Sequence, residues 1–271
     1  MVPTGTRMTR KRPALFRRAS PRRRGPRAKL PEELDSFQHA NDLEGITAPA
    51  LYRLMAWLSP AYPVGAFSYS SGLEWVVEAG DVTTAHALGQ WLTTLLSDGA
   101  GFCDAVLFVH AYRACATSND DALCEVGELA AAMAPSRERF LETTAQGRAF
   151  LDTTRLAWPC RAFDRFSKIY PGPPAYPIAV AVAAAGHGLP LEQSLSAYLQ
   201  ALAANWVSAG IRLIPLGQTD GQRVIVALEP AVEATVRRAL AAALDDAGGA
   251  AFRADIAAMR HETQYTRLFR S

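Results

Sequence analysis

The chain has 271 residues, of which 49% are hydrophobic, a length and composition that suit a globular protein with a sizeable core and exclude fibrous and wholly unfolded classes. Its four cysteines form no C-x-x-C pair, which excludes a dense disulfide framework and reads as reduced thiols in a cytoplasmic protein. The overall charge of +2 hides a division: residues 1–30 hold 11 of the 28 lysines and arginines and no acidic residue, so the remaining 241 residues carry 17 basic and 26 acidic groups, a net of −9.

The arginine, proline and serine composition of residues 1–30 cannot bury enough apolar surface to fold, so a disordered basic arm with a polar connector is expected over 1–48. Such an arm suits an anionic surface or nucleic acid, or is simply solvated. No apolar h-region follows the arginines, so a secretory or twin-arginine signal is not expected. An ordered all-α domain of eight to ten helices is expected over 49–247.

Within that domain, "PVGAFSYSSGLEWVVEAG" at 63–80 reads as an irregular loop shaped by Pro63 and Gly65. Ser68 or Ser70 caps the helix that follows, and Gly72 admits a close neighbour. Leu88, Trp91, Leu92, Leu95 and Leu96 then make one apolar helix face. Asn119 and Ser136 stand where helix N-caps belong, and Gly80 and Gly188 where helices stop. The alanine-rich run from Tyr176 is too short to span a bilayer and reads as a buried helix. Leu191, Leu195, Tyr198, Leu199, Leu202 and Trp206 repeat the helical stripe. "GQTDGQR" at 217–223 reads as a hydrogen-bonded turn, "RVIVAL" at 223–228 as the one strand-like run, and Pro230 as the opening of a further helix. Gly248 and Gly249 supply a hinge before a mobile amphipathic tail, 248–271. In that tail Ile256, Met259, Leu268 and Phe269 alternate with Arg260, Arg267 and Arg270, so it could dock on its own domain or lie in a partner's groove.

Catalytic motifs fail on spacing. The frame Gly65-Ala-Phe-Ser68 lacks the second glycine of a nucleophile elbow and has no preceding strand. "GQTDGQR" lacks the lysine and hydroxyl of a phosphate loop. The five histidines form no H-x-H or H-E-x-x-H pair, and His261 and Glu262, being adjacent, point to different helix faces. No catalytic residue, cofactor site or metal site is therefore expected, and Phe67 and Tyr69 are open to being core plugs or surface anchors.

Four segments in order, "LSPAYPVGAFSYSSGLEWVVEAG", "TAQGRAFL", "RLIPLGQTDGQ" and "MRHETQYTRLFRS", resemble the signature segments of the UreF family of urease accessory proteins, from about Leu51 to Ser271. The family's G-[FY]-x-[YH]-S-x-G-L-E motif falls on Gly65, Phe67, Tyr69, Ser70, Gly72, Leu73 and Glu74. Its P-L-G-Q-x-x-G-Q motif falls on Pro215, Leu216, Gly217, Gln218, Gly221 and Gln222. Its terminal pattern falls on Arg260, His261, Glu262, Arg267, Leu268, Phe269, Arg270 and Ser271, with Thr266 in place of the usual serine. The resemblance implies an all-α, non-catalytic, dimerising scaffold that bridges UreD (also called UreH) and the GTPase UreG on apo-urease and serves nickel insertion. It implies partner contacts at these motifs, to which the reading above adds Ser68, Asp220, Ile256, Met259 and Tyr265. A helical adaptor outside urease maturation and a small-molecule hydrolase are the alternatives, and neither a membrane nor nucleic acid is an expected partner.

Overall fold

The computed structural model describes residues 45–271, so the basic arm expected over 1–48 falls, apart from its last four residues, outside the described residues. Residues 46–271 form one compact unit. The described residues contain α-helices and short 3-10 turns and no strand. The helices are α1 Ala48–Trp57, α2 Leu73–Glu78, α3 Ala85–Asp98, α4 Ala100–Ala116, α5 Asp120–Ala132, α6 Arg137–Ala157, α7 Arg161–Ile169, α8 Tyr176–Gly186, α9 Leu191–Leu213, α10 Gln218–Ala241 and α11 Phe252–His261. Ten of them run nine residues or more, and α2 is a six-residue turn and a half, in keeping with the eight to ten expected.

Local chemistry sets the starts and stops. Asn119 and Ser136 cap α5 and α6 by accepting from the backbone N–H three residues on, each at 3.1 Å, and Thr84 does the same for α3. Gly80 and Gly188 end α2 and α8 at φ of 82° and 64°.

The core is built around α8. Every residue from Pro177 to Ala184 is buried, as a helix apolar on all sides requires, and α4, α6 and α7 pack around it. Small residues permit the close approach: a Cβ on Gly147 of α6 would lie 2.1 Å from the Pro174 carbonyl oxygen at the entry to α8. A second group, α3, α9 and α10, packs beside α4, with α2 and α11 lying together against α6 and α9 at one end. Among the described residues the longest apolar helical stretch is Ala85–Ala116 rather than the run from Tyr176; it comprises α3 and α4, parted at Gly99, and 67% of its most apolar window is buried inside the protein.

Helix α10 corrects three expectations. It takes in all of the supposed turn at 217–223 but Gly217, which caps it, together with the strand-like run at 223–228 and Pro230, which lies inside the helix instead of opening one. Gly221, Val224, Leu228, Thr235, Val236 and Ala239 are its buried positions. That helical spacing, satisfied by packing on α9 and α3, overrides the local β-propensity of Val224, Ile225 and Val226. Pro230 is tolerated because it is exposed, and the carbonyl it leaves without a helical partner belongs to Val226, itself exposed.

Candidate docking site

The loop at 63–72 and the segment after α11 form one structure. Gly65 at φ 72° turns the chain into a 3-10 turn, Ala66–Ser68, and Ser71 and Gly72 follow at φ 52° and 78° before α2 starts. The left-handed conformation of Ser71 costs about 1–2 kcal/mol. It is retained because the Ser71 hydroxyl donates to Glu142 of α6 at 3.1 Å and accepts from the Trp206 indole of α9 at 2.9 Å. Gly72 carries no side chain because α11 leaves no room for one: a Cβ there would stand 2.7 Å from the Ala258 nitrogen.

The terminal residues return to this loop as a short ladder. Arg270 N donates to Ser68 O at 2.8 Å, and Ser70 N donates to Ser271 O at 2.7 Å, with the Ser70 hydroxyl giving the same oxygen a second bond at 2.5 Å. Ser70 Oγ also accepts from Glu74 N at 3.4 Å, a capping role foreseen for it. Arg212 of α9 clasps both sides of the ladder, donating to the Phe67 carbonyl at 2.7 Å while its guanidinium lies 4.2 Å from the centre of the Phe269 ring.

Beneath the ladder lies a buried ionic cluster. Glu74 accepts from Leu268 N at 2.6 Å and Phe269 N at 3.0 Å. His261, with none of its side chain exposed, has Nε2 2.9 Å from Glu74 Oε2 and Nδ1 2.7 Å from Glu138 Oε2. Arg267 donates to the other Glu138 oxygen at 2.8 Å. Ser271 Oγ donates to Glu142 at 2.9 Å, and Arg139 joins Glu142 at 3.3 Å to Asp104 at 2.7 Å, where Tyr198 also donates. Burial pushes the Glu138 carboxyl above the ordinary carboxylate range against the downward pull of His261 and Arg267. For Arg139 burial pulls down, but Asp104 and Glu142 outweigh it and hold the guanidinium charged. Glu262 turns away from His261 and accepts from Arg137 N at the start of α6 at 3.0 Å.

The sequence-derived residues therefore divide. Gly65, Ser68, Ser70, Gly72, Glu74, His261, Arg267, Phe269 and Arg270 are brought together as the frame of this substructure. Phe269, foreseen as an apolar anchor for a partner, is only 4% exposed and fills the protein's own core, as does Tyr69 at 8%. Left outside are Phe67 and, on α11 and beyond, Phe252, Ile256, Met259, Tyr265 and Leu268, all exposed. Residues 248–271, given as a mobile tail, lie on their own domain, for Ala250 and Ala251 donate to Asp98 O and α11 packs on α2 and α6. Gln218, Asp220 and Gln222 sit elsewhere, in the first turns of α10, where Asp220 accepts from Gly217 N at 3.2 Å and pairs with Arg223 at 2.9 Å. No hydrogen bond found among the described residues joins those three to the loop or the terminal ladder.

Sequence reading missed Glu138, Glu142, Arg139, Asp104, Ser71 and Trp206. A usable signal existed in α6, where Glu138 and Glu142 stand four apart on one helix face with Arg139 between them, an odd set for a buried stripe. Among the described residues, no group of three or more His, Cys, Asp or Glu side chains is placed to hold a metal ion.

The profile of the UreF family matches residues 82–229. The urease accessory protein UreF of Bradyrhizobium diazoefficiens is 59% identical over 233 residues, covering 86% of this chain and 96% of that protein. The protein of the same name from Rhodopseudomonas palustris strain BisB18 is 61% identical over 229 residues, covering 84% and 95%. A profile match over more than half of the chain and identity near 60% over most of it make this chain a member of the UreF family of urease accessory proteins.

Proposed function

We propose that the protein is a non-catalytic scaffold of urease maturation that bridges a UreD-type (UreH-type) protein and the GTPase UreG on apo-urease, so that nickel passes to the urease active site as cargo. It acts in the cytoplasm, as a homodimer, without a cofactor of its own. The observation that carries this reading is the exposed apolar row of Phe252, Ile256 and Met259 on α11, continued by Tyr265 and Leu268, on a segment fixed to the body through Glu74, Glu138 and His261. A surface held this firmly with its large apolar side chains outward suits a protein partner better than solvent. Ile256 and Met259 are 50% and 48% exposed, so a partner that covers them gains about half of the roughly 1.5–3 kcal/mol that full burial of each is worth, without the full cost of ordering a free tail. Gln218, Asp220 and Gln222 at the start of α10, together with Phe67 on the loop, are assigned to further partner contacts.

The test is urease activity and enzyme-bound nickel in cells carrying a urease gene set that lacks only its UreF member, with and without this chain. Restored activity and nickel are expected. No restoration, with the chain soluble and its partners taken from the same source, refutes the reading.

A further inference from the structure

Helix α3 and the entry into α11 leave a cleft of about 410 Å³ between them, within the roughly 300–1,000 Å³ of clefts that enclose a ligand. Its lining is buried and apolar at Val82 and Leu95, with Ala87 and Trp91 on the α3 side and Phe252 on the α11 side. The charges at the cleft are paired with each other, Arg253 with Asp81 at 3.0 Å, and both stay exposed. The Trp91 indole N–H is shielded from solvent and has no acceptor among the described residues, a costly state for a buried donor. It is relieved when the ring turns toward the cleft and an occupant supplies an oxygen. Phe252 belongs both to this cleft and to the outer face of α11, whose exposed residues are Phe252, Arg253, Ile256, Met259 and Arg260, three apolar, two basic and none acidic. The cleft is thus the deep end of an apolar row with a basic rim. Such a surface is complementary to an apolar plug with a carboxylate beside it, and a plug seated in a pocket is where binding energy concentrates between proteins.

We propose that this cleft receives one large apolar side chain of the UreD-type partner, an aromatic one by preference, and that an Asp or Glu carboxylate beside it in the partner meets Arg253 and Arg260. The inference rests on the partner reading above and adds to it the place and the chemistry of the contact. The plug covers Val82, Leu95 and the Trp91 ring, while the carboxylate takes over the Arg253 guanidinium from Asp81, an exchange of one exposed ion pair for another that is shielded by the interface. The cleft is made by α3 and residues 250–254 and uses nothing beyond α11, and it is the assembled complex that occupies it.

The experiment measures the affinity of the full chain for the immobilised UreD-type protein of the same source, at low and at high salt, with light scattering of each variant alone. Ala87→Trp fills the cleft from within and should weaken binding at least tenfold. Thr93→Trp adds a similar bulk further along α3, where that residue lines the separate groove between α3 and α10, and should bind as the wild type does. Arg253→Glu should weaken binding at least tenfold at low salt and by less at high salt. Its side chain is 75% exposed, so this variant leaves the core intact and decides the matter if circular dichroism shows that Ala87→Trp fails to fold. Wild-type affinity in Ala87→Trp or in Arg253→Glu, or an equal loss in Thr93→Trp, overturns the inference and leaves the partner reading standing. A wild-type chain that does not bind the UreD-type protein overturns both. A mass in light scattering that halves in Ala87→Trp gives the cleft to a second copy of the chain and overturns the inference as well.

Discussion

Replacing Gly72 with alanine tests whether the loop and α11 are held by contact or merely lie close. Two separable terms act at this position. The φ of 78° lies in the left-handed region, where a side chain costs about 1–2 kcal/mol. The new methyl would also stand 2.7 Å from the Ala258 nitrogen and 3.0 Å from the Ala257 carbonyl carbon, both rigid helix backbone that cannot move aside as a side chain end would. Forcing an extra methyl into such a contact costs typically about 1–3 kcal/mol, so the sum is about 2–5 kcal/mol, or roughly a thirtyfold to several-thousandfold change in the equilibrium for detaching α11. Gly65→Ala supplies the reference, since its φ of 72° carries the same conformational penalty while a Cβ there meets nothing within 4 Å. Denaturant unfolding with matched m-values, together with hydrogen exchange over 252–271, reads both. The Gly72 variant should lose more stability than the Gly65 variant by the contact term of about 1–3 kcal/mol, with exchange accelerated in α11 first. Equal losses in the two variants would refute a backbone contact between Gly72 and α11.

Phe67 and Tyr69 should separate on truncation to alanine. The exposed Phe67 changes melting by little while weakening partner capture in a pull-down, whereas the buried Tyr69 costs about 2–4 kcal/mol in denaturant unfolding. Arg139→Met should destabilise by about 3–5 kcal/mol in the same assay, because it strands Asp104 and Glu142 as uncompensated buried carboxylates. Burial pushes Cys103 to about 12 and Cys115 to about 11, leaving about one thiolate in 10⁴ and one in 10³ at pH 8, so both should resist alkylation until the protein is denatured. Gly147→Ala should destabilise despite the better helix propensity of alanine, since its methyl would collide with the Pro174 carbonyl; a stabilised variant, read by thermal unfolding, would refute the tight crossing of α6 and the entry to α8.

Helices and their ends were legible because they rest on local chemistry. The stripes beginning at Leu88 and Leu191, the caps Asn119 and Ser136, and the stops at Gly80 and Gly188 each declare themselves within a turn or two. Helix α10 was misread where a β-branched triplet and a proline argue locally against a helix and the packing of Val224, Leu228 and Val236 on distant helices argues for it. At the docking site the same limit applies with more force. The motif residues Glu74 and His261 could be named, but their meeting spans 187 positions, and nothing near either announces the other. Phe269 looked like a partner anchor because a sequence shows an aromatic beside arginines and not the Arg212 guanidinium lying over its ring.

That long separation bears on how the protein is made. Synthesis proceeds at about 5–20 residues per second, so the carboxylate of Glu74 waits roughly ten to forty seconds after its own emergence before His261 follows it from the ribosome. Once α6 has followed, the trough that α11 will fill stands open for the rest of that interval, lined by Gly72, Glu138 and Glu142, and contacts of such sequence distance are the slowest to form once the chain is complete. The nascent protein thus carries its helical core before the proposed docking face, and a partner that recognises the finished face would be barred from engaging a half-made chain.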